Sequence, residues 1–164
     1  MRLFIGNKVY SSWSLRPWIV MRAHGIAFEE HVIQLRAGDT ADRIRKVSPA
    51  GKVPALIDGE TLVWDSLAIM EYLADKYPDK AIWPRDRLAR AHARCTSAEM
   101  HSGFQSLRGQ CQMTITKRFK TSPRSPEVMA DVARITALWT EARSRFGAKE
   151  IGRASCRERV SLVV

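Results

Sequence analysis

With 164 residues, 45% of them apolar and 27% charged, the chain has the length and composition of a globular protein with a real core, in one domain or two small ones, and not of a disordered one. No apolar run approaches the ~18–20 residues of a membrane span, and Met1 leads straight into a strand-like stretch, so the expectation is a cytoplasmic protein with neither leader nor membrane segment. The net charge of +10 is uneven, with 11 Lys+Arg against 10 Asp+Glu in residues 1–84 and 16 against 7 in residues 85–164; without zinc-finger spacing or an aromatic RNA-binding signature, the basic half reads as a solvated arginine-rich helical surface, and no nucleic-acid partner is expected.

In chain order, Arg2 to Gly6 reads as a short buried strand and Asn7 to Ser14 as a hydroxyl-rich loop. Leu15 to His24 reads as a helix, with Pro17 in its first turn and Gly25 as the residue that stops it. Phe28 to Leu35 forms a second strand, and Thr40 to Val47 a short helix halted by Ser48-Pro49. Strands Val53–Ile57 and Thr61–Trp64 are joined through Asp58-Gly59-Glu60 as a hairpin. Leu67 to Tyr77 is a helix with Ile69, Met70, Leu73 and Tyr77 on one face, ended by Pro78. The order βαβα-ββα needs one parallel pair plus an antiparallel hairpin, which is the thioredoxin-like pattern.

After a linker at 79–84 the character changes. Leu88, Ala91, Cys95 and Ala98 recur at helical spacing, in a helix expected to run to about Lys117. Ser122-Pro123-Arg124-Ser125-Pro126 breaks it. Val128, Val132, Ile135, Trp139, Ala142 and Phe146 then mark one face of a second long helix. The fold class is therefore an α+β thioredoxin-like domain at 1–78 followed by an all-α domain at 85–147, with an atypical tail at 148–164. Cys95, Cys111 and Cys156 show no paired spacing, as suits a reducing compartment, and the four histidines make no metal-ligand pair. Cys95 and Cys111 are expected in the core.

Two stretches carry chemistry. Pro54 has no N–H and fits only the start of a strand, where a cis bond would turn the peptide groups of Val53 outward. Asp65-Ser66 reads as a helix N-cap, whose free N–H groups and partial positive charge favour a carboxylate. A strand edge beside a helix N-terminus describes a site for a small peptide.

Tyr10-Ser11-Ser12-Trp13-Ser14-Leu15-Arg16, Gly51-Lys52-Val53-Pro54-Ala55-Leu56 and Asp65-Ser66-Leu67-Ala68-Ile69, in that order, resemble the glutathione-binding motifs of the cytosolic glutathione S-transferases, most of all the serine-type, zeta-like bacterial members. The resemblance covers the first domain and continues less specifically to about Phe146. It implies glutathione as co-substrate, a hydrophobic electrophile as second substrate and a homodimer. Glutathione chemistry needs a thiolate, and a hydroxyl donor at a helix N-terminus stabilises one. The resemblance gives that role to Ser11, with Ser12 as the adjacent alternative and Ser14 as the helix cap. It gives Val53 and Pro54 the cysteinyl backbone, Asp65 and Ser66 the γ-glutamyl end, and Lys52 the glycine carboxylate. Tyr10 is a rival activator that reads better as packing. Zeta-like relatives also imply isomerase or dehalogenase chemistry, and the same fold can serve as a non-catalytic binding module. Family members carry a further buried helix where this chain turns to Gly-Arg-Ala-Ser-Cys-Arg-Glu-Arg, so the helical half is expected to be less protected than the first, with Trp139 exposed.

Overall fold

The computed structural model describes residues 1–120 and 122–147; the tail expected at 148–164 lies outside the described residues. The chain divides into a unit from Met1 to Ile82 and a second beginning at Trp83.

In the first unit, strand β1 (Arg2–Ile5) leads to helix α1 (Ser12–Ala23), strand β2 (Glu29–Val32) and helix α2 (Thr40–Arg45). Strands β3 (Ala55–Asp58) and β4 (Thr61–Val63) form a hairpin before helix α3 (Ser66–Lys76). The sheet order is β2-β1-β3-β4, with β1 and β2 parallel and the other pairs antiparallel. This is the mixed, thioredoxin-like sheet that the element order requires. Period-two alternation sends Leu3 and Ile5, both 0% exposed, to one face and leaves Phe4 half-buried on the other. Leu3 and Ile5 join Leu56, Val20, Met21, Ile69, Met70 and Leu73 in the core, where α1 and α3 pack on each other and on the sheet. Gly25, at φ +60°, ends α1 as expected, its N–H donating to Arg22 O.

Helix α1 begins three residues earlier than its sequence suggests. Ser11 is the N-cap residue, Ser12 opens the helix, and Pro17 falls inside it rather than in its first turn. Ser14 is accordingly not the cap: it is fully buried, and its Oγ receives the Gly6 N–H at 2.9 Å. That contact spans eight residues, and it ties the start of α1 to the end of β1.

The hairpin is anchored on α3 by Asp58, whose Oδ2 accepts hydrogen bonds from Lys76 Nζ and from the Tyr72 hydroxyl at 2.7 Å. The Lys76 bond and then the Tyr72 bond hold the Asp58 carboxyl below its ordinary value, against the opposing effect of burial. Glu30 is lowered in the same way, chiefly by Lys8 Nζ at 2.5 Å, with help from Trp18 Nε1 at 2.6 Å and despite desolvation. A carboxyl lowered on folding contributes stability that is complete above its unfolded value and is lost as pH falls through its folded one. The first unit is therefore expected to lose stability on acidification below about pH 4. Asp58→Asn should lower stability at neutral pH and flatten the acid limb of a circular-dichroism titration; an unchanged limb would contradict this assignment.

The second unit contains α4 (Arg87–Ser102), α5 (Gln105–Gln110) and α6 (Pro126–Phe146). Asp86 Oδ1 caps α4 by accepting the Ala89 N–H, and Ser125 Oγ caps α6 by accepting that of Val128, with Pro126 in the first turn. Helix α4 stops at Ser102 and does not run to Lys117. A Cβ at Gly103 would meet Glu99 O at 2.8 Å, and the following Phe104 adopts φ +62° before α5 begins. The expected inner stripe of α4 is also displaced. Leu88 is 68% exposed, and Cys95 is exposed rather than in the core. The buried positions are Ala93, Thr96 and Ser97, because small hydroxyl residues can satisfy themselves inside a helix: Thr96 Oγ1 donates to Ala93 O. On α6 the buried residues are Val128, Leu138 and Ala142. Trp139 is 47% and Val132 39% exposed, the former as expected. Arg134 pairs with Glu99 through two bonds of 2.6 and 2.8 Å, linking α6 to α4.

Candidate functional site

The sheet register brings the three motifs to one end. Phe4 stands opposite Ala55 in an antiparallel pair, so the chain before Ala55, namely Val53-Pro54, runs alongside the chain after Phe4, namely Ile5-Gly6. Val63 stands opposite Leu56 in the β3–β4 pair, so β4 delivers Trp64, Asp65 and Ser66 to this same end. The Ser14–Gly6 bond brings the start of α1 there too.

Around α1 the loop is held by Asn7, whose Oδ1 accepts the Leu35 N–H at 2.8 Å and lies 2.7 Å from the Tyr10 hydroxyl. That hydroxyl also lies 3.2 Å from Leu35 O, so Tyr10 is engaged in packing the loop. Ser11 N–H donates to Asn7 O at 2.9 Å. The Ser11 hydroxyl is 2.9 Å from Ser14 Oγ and donates to it, and it makes no capping bond to the helix. The Ser12 hydroxyl makes no hydrogen bond among the described residues, and its residue is half-buried. Buried Arg16 lies one turn further on, its guanidinium 4.2 Å from the centre of the Trp13 ring.

The Val53–Pro54 peptide bond is cis, and so is Trp64–Asp65. Val53 is half-buried, Pro54 buried, and both precede the first paired residue of β3. Lys52 is exposed and forms no ion pair among the described residues. Asp65 caps α3, Oδ1 accepting from Leu67 N at 3.0 Å and Ala68 N at 3.5 Å. Two of the helix N–H groups expected to meet a ligand carboxylate are thus occupied by Asp65 itself. Ser66 is 0% exposed, and its Oγ has no hydrogen-bond partner. A buried hydroxyl left unpaired at a helix N-terminus costs free energy that an incoming anion recovers.

Sequence reasoning missed Ser14, which holds Ser11 and Gly6 rather than the helix end. Met100 and His101 are half-buried on α4. Among the described residues no group of three or more His, Cys, Asp or Glu could hold a metal ion, and no helix is long and apolar enough to cross a membrane.

Residues 10–76 match the family model of the glutathione S-transferase N-terminal domain. The chain is 33% identical over 103 residues to a probable maleylacetoacetate isomerase of Caenorhabditis elegans, covering 60% of this chain and 48% of that one. It is 37% identical over 103 residues to glutathione S-transferase Z2 of Arabidopsis thaliana, covering 60% and 46%. The chain thus spans about half the length of the curated relatives it matches. Among solved structures it resembles a sphingomonad glutathione S-transferase complexed with glutathione, at 25% identity and a TM-score of 0.61, covering 99% of this chain and 81% of that one. The motifs, the sheet and these likenesses agree on a glutathione S-transferase N-terminal domain over residues 10–76.

Proposed function

We propose that this chain binds glutathione at the sheet end shared by Ser11, Val53 and Ser66, and that it transfers the tripeptide to a hydrophobic electrophile. The observation that carries the reading is the buried, unpartnered Ser66 Oγ at the start of α3, beside a cis-proline turn. Ser66 would take the γ-glutamyl carboxylate through its hydroxyl and main chain, and Asp65 the ammonium. Val53 would pair its main chain with the cysteinyl residue as a one-residue strand extension, and Lys52 would reach the glycine carboxylate.

The sulfur would then lie against the first turn of α1. There the Ser11 hydroxyl would turn its proton from Ser14 to the sulfur, and the thiolate would gain from a donor and from the helix N-terminus together. Ser14 keeps the Gly6 N–H throughout, so the loop holds its shape while the Ser11 proton moves. Ser12 is the alternative donor. The relative named as a maleylacetoacetate isomerase favours a second reading on the same site, glutathione-dependent isomerisation, in which the thiolate adds to the substrate and leaves again. Zeta-like dehalogenation is the third. A non-catalytic binding module is the reading from another class.

Retention of the folded chain on immobilised glutathione, with release by free glutathione, tests the co-substrate. Turnover of a substrate panel with and without glutathione separates transfer, isomerisation and dehalogenation, and silence across the panel with retention intact would leave the binding module. A nucleic-acid binder would instead show affinity falling steeply with salt. We also propose a homodimer in a reducing cytoplasm, where free Cys95 and Cys111 persist as thiols. Sedimentation showing only monomer at micromolar concentrations would contradict the dimer.

A further inference from the structure

The connection between α5 and α6 has no part in the site above, and it carries the most exposed large apolar side chain among the described residues. Phe119 is 72% and Ile115 65% exposed. Lys117, Arg118, Lys120 and Arg124, beside and between them along the chain, are exposed as well. Residues 100–126 contain no Asp or Glu. None of the four cations has an ion pair or hydrogen bond among the described residues, whereas Arg134 and Arg145 of α6 are paired with Glu99 and Glu141.

Two unfavourable terms therefore meet in one short stretch. Large apolar side chains stand in water, and unneutralised cations crowd together without a counter-charge. A single kind of surface relieves both, one that sets a layer of negative headgroups over hydrocarbon. Four residues of chain span at most ~14 Å, so Ile115 and Phe119 can enter one headgroup–acyl boundary together. The stems of lysine and arginine are themselves apolar and lie along such a boundary while their charged ends meet lipid phosphates. A single-stranded nucleic acid is the poorer match. Strands of that kind stack successive bases on aromatic rings, but Phe119 is the only aromatic residue in 105–126, and Ile115 has no flat face to offer.

We infer that Ile115, Lys117, Arg118, Phe119, Lys120 and Arg124 dock the chain peripherally on a bilayer rich in anionic phospholipid, independently of the glutathione site. The full chain is sedimented with vesicles of equal parts phosphatidylserine and phosphatidylcholine, and with vesicles of phosphatidylcholine alone. Partition onto the anionic vesicles should be at least ~10-fold stronger, and it should weaken as salt screens the charges. The double variant Ile115→Ser, Phe119→Ser and the triple variant Lys117→Gln, Arg118→Gln, Lys120→Gln should each weaken it by at least ~10-fold. These side chains are exposed and the cations have no partner to lose, so both variants should fold, and circular dichroism checks that they do. A control, Arg43→Gln, Lys46→Gln, Arg87→Gln, removes the same charge from α2 and α4 and should change partition by less than ~3-fold. Equal partition onto the two vesicles, no partition, or an unaltered double or triple variant would each overturn the assignment. An equal loss in the control would overturn it too, since net charge alone would then account for the binding. Tighter binding to polyuridylate than to the anionic vesicles would give this surface to nucleic acid instead.

Discussion

Ser11→Ala is expected to lower kcat/KM for an electrophilic test substrate by at least ~10²-fold, the usual size of losing one hydrogen-bond donor at a developing or stabilised anion. The expectation rests on geometry that the ligand-free chain already has. Ser11 sits at the N-cap position without capping the helix, so its hydroxyl is not committed to a main-chain N–H. Its one bond, to Ser14 Oγ at 2.9 Å, can be exchanged for one to sulfur by rotation about a single torsion. The loss should appear in the acidity of the bound thiol. Thiolate absorbance followed against pH should shift to higher pH in the variant, because removing a donor to the charged form raises the pKa. If Ser12→Ala gives the drop and Ser11→Ala does not, the role moves by one residue. If neither does, the peptide N–H groups at the start of α1 carry it, and the serine mechanism fails.

The largest expected effect on stability is at Leu56. It is 0% exposed, stands opposite Leu3 on one side and Val63 on the other, and so belongs to the middle of the sheet. Leu56→Ala should destabilise the first unit by roughly 2–5 kcal/mol, the lost transfer energy plus an unfilled cavity. Against a total of ~5–15 kcal/mol for a domain, that is a large share. Leu88→Ala, which removes the same atoms from a side chain 68% exposed, should change stability by less than ~0.5 kcal/mol. Amide exchange of β1 and β3 reads the first unit separately from the second. Comparable effects at the two leucines would mean that the burial of one of them is wrongly drawn.

The contrast between those leucines shows where the sequence was legible. The first unit could be read because its signals are local and punctuated. Asp58-Gly59 makes a tight turn, Asp65 caps α3, Gly25 ends α1, and Ile69, Met70 and Leu73 fall on the face they bury. The same punctuation placed Val53-Pro54 and Asp65-Ser66 at element boundaries, and the register then set them at one sheet end. The second unit offered fewer such marks. In α4 the larger apolar residues Leu88 and Cys95 face outward, while Thr96 and Ser97 are buried, so hydrophobic periodicity selected the wrong face by one position. The end of α4 depends on a close approach of Gly103 to Glu99 O, which spacing does not reveal. Ser14 was misread for a related reason: its bond to Gly6 is a tertiary contact, invisible to any rule about helix ends.

Glutathione is expected to be held at the start of α3 through Ser66, and calorimetric titration of the tripeptide into the full chain is the decisive experiment. Saturable one-site binding by the wild-type chain is expected, with at least ~10-fold weaker binding by Ser66→Ala, which deletes a buried hydroxyl that has no other partner. Because that hydroxyl is buried and bonds to nothing, its removal should leave the variant at least as stable as the wild type, and the weakening should not be traceable to unfolding. Equal affinity in the two proteins, or no saturable binding by a wild-type chain shown to be folded, would contradict it.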